Sequence, residues 1–306
     1  MIHNILYTSY IEINLKIILE RITIKMSTER FDLQTASFEK MADFFYTNGY
    51  VILDNALSPD VIESLKNDLY NVHNSTESAK SHKDKKKDEK GNRHNVYKCF
   101  FENSRTTVDI IENSKLTDFA QHVIGDVPDN RQGNTSLNAH VIHNNAFIVP
   151  PGGRGQAPTW HVDDPLQQII VPNNYSLPAC IRLPVLVCTY MIWLSDCTTP
   201  ENGPTYVVPG SHRFGRPINN MEANRKGIPM CGKAGTAVLI NANVWHRGCE
   251  NKSSVPRETV QITFARRIIG HKHKTIMNYQ MPSHVYQGRS DVLKTRMGFL
   301  QGGAYS

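Results

Sequence analysis

The sequence predicts a mainly β fold, an antiparallel sandwich or barrel with α-helices packed against its outside. Two observations carry this. From about residue 137 onward, short apolar runs, alternating or continuous, are separated by turns containing Gly and Pro, the pattern of many short strands. Ahead of that point, apolar residues recur at the three-and-four spacing of amphipathic helices. No internal repeat is present.

Residues 1–30 read as an N-terminal extension, and 31–306 as a single domain. Met1 to Lys25 are rich in Ile and Leu, but Glu12, Lys16, Glu20 and Arg21 are too many charges for a membrane span. No basic start or small-residue cleavage site marks a signal peptide. Met26-Ser27-Thr28-Glu29 reads as a start of its own. Residues 1–25 are then an upstream extension or a poorly ordered helix, with an amphipathic membrane-surface helix as the rival.

Phe38, Met41, Phe44 and Phe45 predict a helix, with Ser37 as N-cap and Asn48-Gly49 as its end. Tyr50 to Leu53 follow as a strand. Ser58-Pro59 opens a second helix with Val61, Ile62, Leu65 and Leu69 on one face. Residues 76–94 hold seven cations and four carboxylates with only Ala79 apolar. Such a run has nothing to bury and predicts a mobile basic loop, either plain solvated surface or a lid that draws in an anion. Thr107 to Ile111 and Leu116 to Ile124 are helical. Strand chemistry then takes over at Leu137 to Val149, Ala179 to Leu194, Thr205 to Val208, Gly235 to Trp245 and Glu258 to Phe264. The turns between them are Pro150 to Gly155, Thr198 to Gly203, Pro209 to His212 and Asn251 to Ser254.

Composition bounds the function. Hydrophobic content of 40% and charge of 20% are those of a soluble globular domain. A net charge of +6, much of it in one stretch, does not call for nucleic acid and suits an anionic small molecule at least as well. The six cysteines are scattered without disulfide or Cys-x-x-Cys spacing. They predict buried reduced thiols and a cytoplasmic setting. The expected partner is a small-molecule substrate, with no nucleic acid and no stable membrane insertion, for a monomer or homodimer.

The chemistry concentrates at Thr159-Trp160-His161-Val162-Asp163-Asp164. A His and an Asp two apart project from one face of an extended strand. Imidazole beside carboxylate is two-thirds of the 2-His-1-carboxylate facial triad of non-haem Fe(II). Trp245-His246-Arg247-Gly248, at the end of an apolar run, offers the distant second His. The structural alternatives are a solvent-facing polar pair for His161 and Asp163, a backbone-bonded core His for His246, and a surface ion pair for Arg257.

The order His161-x-Asp163, Asn202-Gly203-Pro204, Pro209-Gly210-Ser211-His212, Trp245-His246-x-Gly248 and Arg257 resembles the phytanoyl-CoA dioxygenase family of Fe(II)- and 2-oxoglutarate-dependent oxygenases. The resemblance runs from about Phe38 to Phe264 and is fainter to Gly298. It implies a double-stranded β-helix, the cupin-like jelly roll, with iron between its sheets and with 2-oxoglutarate and O2 as co-substrates. His161, Asp163 and His246 are then the metal ligands. Arg257 takes the far carboxylate of 2-oxoglutarate, for which a planar guanidinium fork is suited. Thr259 and Gln261 share its face, and Gly248 offers backbone or space near that carboxylate. The family's frequent Lys ahead of Pro-Pro-Gly is Val149 here. Strand parity puts Asn138 and His140, rather than His143, forward as replacement polar contacts. Pro209 to His212 is a structural turn. Intact Asp163 argues against halogenation and for hydroxylation, or for a desaturation, epoxidation or cyclisation that begins with the same hydrogen abstraction. Leu166 to Leu177 reads as pocket rim, and His271 to Lys274 with Arg296 as positive charge near the mouth. Hydroxylation, oxidative cyclisation or desaturation of a small-molecule substrate, with release of succinate and CO2 from 2-oxoglutarate, in secondary metabolism, is the expected activity. The alternatives are a non-catalytic cupin-like binding protein, or an isomerase holding another metal.

Overall fold

A computed structural model of the chain describes residues 29–75, 86–87, 93–125, 139–154, 157–163, 176–178, 181–273 and 279–299. The chain divides into two units, Met1–Arg30 and Phe31–Ser306, and the second carries the fold. Helix α1 (Phe38–Asn48) starts where the Ser37 hydroxyl accepts the Lys40 N–H. It stops at Gly49, whose φ of 79° ends the helix with an N–H bond to the Phe45 carbonyl. Helix α2 (Pro59–Asn74) has Ser58 at the N-cap and Pro59 in its first turn, although the Ser58 side chain makes no capping bond. Helices α3 (Arg105–Glu112) and α4 (Lys115–Gly125) follow.

Among the described residues the strands form two sheets. The large one uses β1 (Arg30–Asp32), β2 (Tyr50–Asp54), β3 (Lys86–Lys87), β4 (Arg93–Lys98), β5 (Ala139–Val149), β6 (Val187–Trp193), β9 (Ala237–Asn241) and β11 (Arg257–Arg266), in the order β1-β2-β9-β6-β11-β5-β4-β3. The small one is β10-β7-β8, from β7 (Tyr206–Val207), β8 (Ile228–Pro229) and β10 (His246–Arg247). An isolated antiparallel bridge between His161 and His246 extends it by one position. Two facing sheets with helices behind the larger are the double-stranded β-helix, a cupin-like jelly roll.

Alternation along the large sheet assigns its two faces. Tyr190, Ile192, Val260, Ile262 and Phe264 bury into one core with Phe45, Leu65, Phe119 and other residues of α1 to α4. Thr189, Met191, Thr259, Gln261 and Thr263 line the cavity on the other face.

Three sequence expectations change. Gly235 to Trp245 is not one strand. The chain leaves the large sheet after Asn241, turns where the Val244 N–H bonds the Asn241 carbonyl, and crosses to the small sheet before His246. Consequently β10 pairs with β7, while β11 pairs with β5 and β6. Strand β6 begins only at Val187, and residues 181–186 are irregular. Within the basic run 76–94, Lys86 and Lys87 form a ladder with Arg93 and His94. Strand pairing satisfies the backbone there although the side chains are polar; the rest of that run lies outside the described residues. A short helix, α5 (Asn220–Lys226), joins the small sheet's outer side, and α6 (Ser283–Tyr286) and α7 (Asp291–Arg296) end the described chain.

Candidate metal centre

The crossover after β9 is what brings the second histidine to the first. His161 and His246 exchange backbone hydrogen bonds of 2.9 and 3.0 Å, and their rings lie 4.2 Å apart. The Asp163 N–H is fixed on the Ala242 carbonyl at 3.1 Å. Asp163 Oδ1 is then 3.5 Å from Nε2 of both histidines. One ligand atom from each of the three lies within 4.8 Å of the others, and no other group of His, Cys, Asp or Glu among the described residues does this.

Each imidazole is oriented by its own strand. His161 Nδ1 is 2.8 Å from the Thr159 carbonyl, and His246 Nδ1 is 2.9 Å from the Val244 carbonyl. A carbonyl only accepts, so Nδ1 carries a proton in both rings and Nε2 is the nitrogen presented to Asp163. Backbone carbonyls that hold the remote ring nitrogen are a common support for metal-bound imidazole. Burial works against charge on Asp163 and His246, but the attraction between them overrides it. The carboxyl is held well below the usual carboxylate range, and the His246 imidazole is raised. A divalent cation takes the place of that shared proton. Two imidazole nitrogens and one carboxylate on one side of a cavity fit Fe(II).

Across the cavity stands Arg257. It is 9% exposed, and its Nε and Nη1 have no hydrogen-bond partner among the described residues. Thr259 Oγ1, one alternation along, is also buried and has no partner among the described residues. A buried guanidinium left unpaired is costly and calls for an anion. Gly248 lines the same cavity. Its N–H is already taken by the Ala157 carbonyl at 2.7 Å, so it provides space. Val149, where the family often has Lys, pairs with Arg257 in the ladder and is buried.

The polar residues expected on β5 are placed differently. Asn138 lies outside the described residues. His140 does not line the cavity: its Nε2 donates to the Ile269 carbonyl at 2.7 Å. His143 and Asn145 line it instead. The cause is a β-bulge. Thr263 pairs with His143 but Phe264 pairs with Val141, which leaves Ile142 as an extra residue. Counting by twos from His140 therefore reaches the wrong face beyond the bulge.

Of the expected mouth residues, Lys272 lines the cavity, while the Arg296 guanidinium binds the Ile111 and Glu112 carbonyls and Asp118 between helices. Residues 166–175 and Lys274 lie outside the described set. His212 is structural: its Nε2 donates to the Tyr46 carbonyl at 3.0 Å beneath α1. Sequence reasoning missed Thr189 and Thr263, whose hydroxyls are 3.1 Å apart on the cavity wall. Thr263 was within reach, three alternations after Arg257. Thr189 gave no signal without the β6–β11 register.

Comparison with known proteins agrees with this geometry. The chain is 22% identical over 250 residues to an ectoine dioxygenase of Nocardia farcinica, covering 72% of this chain and 75% of the relative. Its fold is similar to that of HygX from Streptomyces hygroscopicus, solved with nickel, 2-oxoglutarate and hygromycin B bound, at a TM-score of 0.55, 13% identity, and coverage of 74% and 86%. It is also similar to SnoN, a non-haem α-ketoglutarate-dependent epimerase from nogalamycin biosynthesis, at a TM-score of 0.56, 14% identity, and coverage of 75% and 83%. The phytanoyl-CoA dioxygenase family model matches residues 45–259, and the chain belongs to that family of Fe(II)- and 2-oxoglutarate-dependent dioxygenases.

Proposed function

We propose that His161, Asp163 and His246 hold the Fe(II) of this 2-oxoglutarate-dependent dioxygenase, and that it hydroxylates a small, anionic molecule. Arg257, assisted by Thr259, takes the far carboxylate of 2-oxoglutarate. The observation that carries the reading is one cavity with two Nδ1-anchored imidazoles and a carboxylate on the small sheet, and an unpartnered buried guanidinium on the large one. When bound, Fe(II) with 2-oxoglutarate and O2 supplies the oxidant that attacks a C–H bond, releasing succinate and CO2.

The chain's own residues contribute binding and orientation. The two backbone carbonyls hold each Nδ1–H, so that Nε2 is the ring nitrogen aimed at the ion. Arg257 fixes the distance from the metal at which a dicarboxylate chain can lie, which aligns its other end with the triad. Apolar Phe147 and Val149 flank that stretch and exclude water. With Asp163 retained, the third ligand position is not vacated for a halide, which favours hydroxylation or a related oxidation. Cys99, Cys188, Cys197, Cys231 and Cys249 are in no disulfide, which supports a cytoplasmic setting.

The test is Fe(II)-dependent release of succinate from 2-oxoglutarate, run with a metabolite panel. The expected result is turnover that needs both Fe(II) and 2-oxoglutarate and is lost in Asp163→Ala. Turnover that continues unchanged in His161→Ala would falsify the ligand assignment.

A further inference from the structure

Strand register orders the cavity along its length. Arg257, Thr259, Gln261 and Thr263 are spaced by twos on β11, so Arg257 and Thr263 are about 20 Å apart at ~3.3 Å per residue. Val149 lies opposite Arg257. At the other end, Thr263 lies opposite His143 and Thr189. Asp163 belongs toward that second end: it bonds Ala242, Ala242 bonds Val187, and Val187 pairs with Ala265 just past Thr263. 2-Oxoglutarate is much shorter than that span, so a molecule of it held on Arg257 fills only the first end, and the second is left for the substrate.

That second end is built for hydrogen bonding. Asn145 donates from Nδ2 to Gln261 Oε1 at 3.0 Å. Asn145 is 1% exposed, and its Oδ1 has no partner among the described residues. A buried acceptor without a donor is rare enough to require an explanation, and a ligand group beside the metal supplies one. Beyond it stand His143, Thr189, Thr263 and the cation Lys272. An ammonium has three donors, so a contact within the protein leaves capacity for a ligand. Asp163, committed to the metal, is the only carboxylate among the described lining residues. Beside these polar groups stand the apolar Met191, Ile240 and Ala242. The wall therefore offers hydrogen bonds to one part of a substrate and apolar contact to the rest, and a ligand without polar groups would leave the wall's own polar groups unpaired. The cavity volume of about 430 Å³ must also hold the co-substrate, which limits the substrate to a small molecule.

Resting on the function proposed above, we infer that the substrate is a small carboxylic acid bearing a second hydrogen-bonding group, such as a hydroxy or amino acid. Lys272 takes its carboxylate, and the Asn145–Gln261 amide pair takes the other polar group next to the C–H bond that is oxidised.

The experiment uses the full chain loaded with Mn(II) and 2-oxoglutarate under nitrogen. Binding of a panel of small hydroxy and amino acids, each beside its methyl ester, is followed by calorimetry. Acids bind and their esters bind at least ~10-fold more weakly, the scale of one lost charge-assisted contact. Lys272→Glu removes acid binding, and Asn145→Leu weakens hydroxy and amino acids but not the unsubstituted acids. Both variants keep wild-type affinity for 2-oxoglutarate. Esters that bind as well as acids, a panel in which no acid binds, or unchanged acid binding in Lys272→Glu overturns the inference. Loss of 2-oxoglutarate binding by the wild type would instead strike the function on which it rests.

Discussion

Arg257 is the residue at which burial and chemistry conflict most openly. It spends a cation on the interior with two of its nitrogens unmatched, and burial pulls its guanidinium below its usual value. A guanidinium still stays charged at any working pH, so the conflict is resolved by a ligand rather than by loss of a proton. Arg257→Met therefore has a split effect. Metal binding, carried by three other side chains, is retained. Affinity for 2-oxoglutarate falls ~100-fold, the scale of one bidentate charged contact, and titration of the Mn(II)-loaded protein reads it directly. Arg257→Lys restores only part, since an ammonium keeps the charge but not the fork. Equal loss of metal and 2-oxoglutarate in the Met variant would show that Arg257 acts through the fold instead.

Elements decide which residues meet, and here the sequence was only partly legible. Helix caps, the positive φ at Gly49 and the helical stripes of α1 and α2 are local signals, written within a few residues. The two halves of the metal site were equally local: His-x-Asp on an extended segment and a His after an apolar run. Hidden from the sequence were the crossing from β9 to β10 and the extra residue at Ile142, because both depend on which distant strand is the partner. The turn that launches β11 was legible at Asn251 to Ser254, but the part Asn251 plays in it was not. Asn251 is fully buried there, with its Nδ2 on the Val149 and Val255 carbonyls and its Oδ1 accepting from Ser253. It ties the end of β5 to the segment that delivers Arg257. Asn251→Ala removes the Asn251 donor from the Val149 carbonyl and leaves the Val255 carbonyl with only Ser253 Oγ, a loss of about 1–3 kcal/mol. A lower melting temperature and a higher KM for 2-oxoglutarate are expected together, with metal affinity preserved. A variant that melts earlier with an unchanged KM would confine Asn251 to stability.

At the scale of the molecule, the sandwich keeps its candidate metal ligands at the small sheet and its largest apolar core behind the large one. Three histidines outside the candidate metal site, His140, His212 and His273, are held below the usual imidazole value by burial. Burial, with the charge of His271 and Arg267 nearby, pushes His140 down to about 4. Burial and the neighbouring His271, His143 and His140 push His273 down to about 3. His212, beneath α1 and beside Arg213, is pushed down to about 4 by burial. Each is a base whose folded value lies below its unfolded value of about 6.5. Between those values the unfolded chain holds a proton that the folded chain does not. Stability is therefore complete above about pH 6.5 and declines as pH falls toward 4, by about 3 kcal/mol for each such histidine at the limit. Urea titrations of the metal-free protein between pH 7.5 and 4.5 should show this decline. His273 is the useful probe, because it stacks on His271 and meets the Phe101 ring while its Nε2 has no partner among the described residues. His273→Leu should cost little at pH 7.5 and flatten the acid limb, since a side chain that never charges has no proton to refuse. An acid limb as steep as that of the wild type would mean that His273 is protonated without leaving its place in the fold.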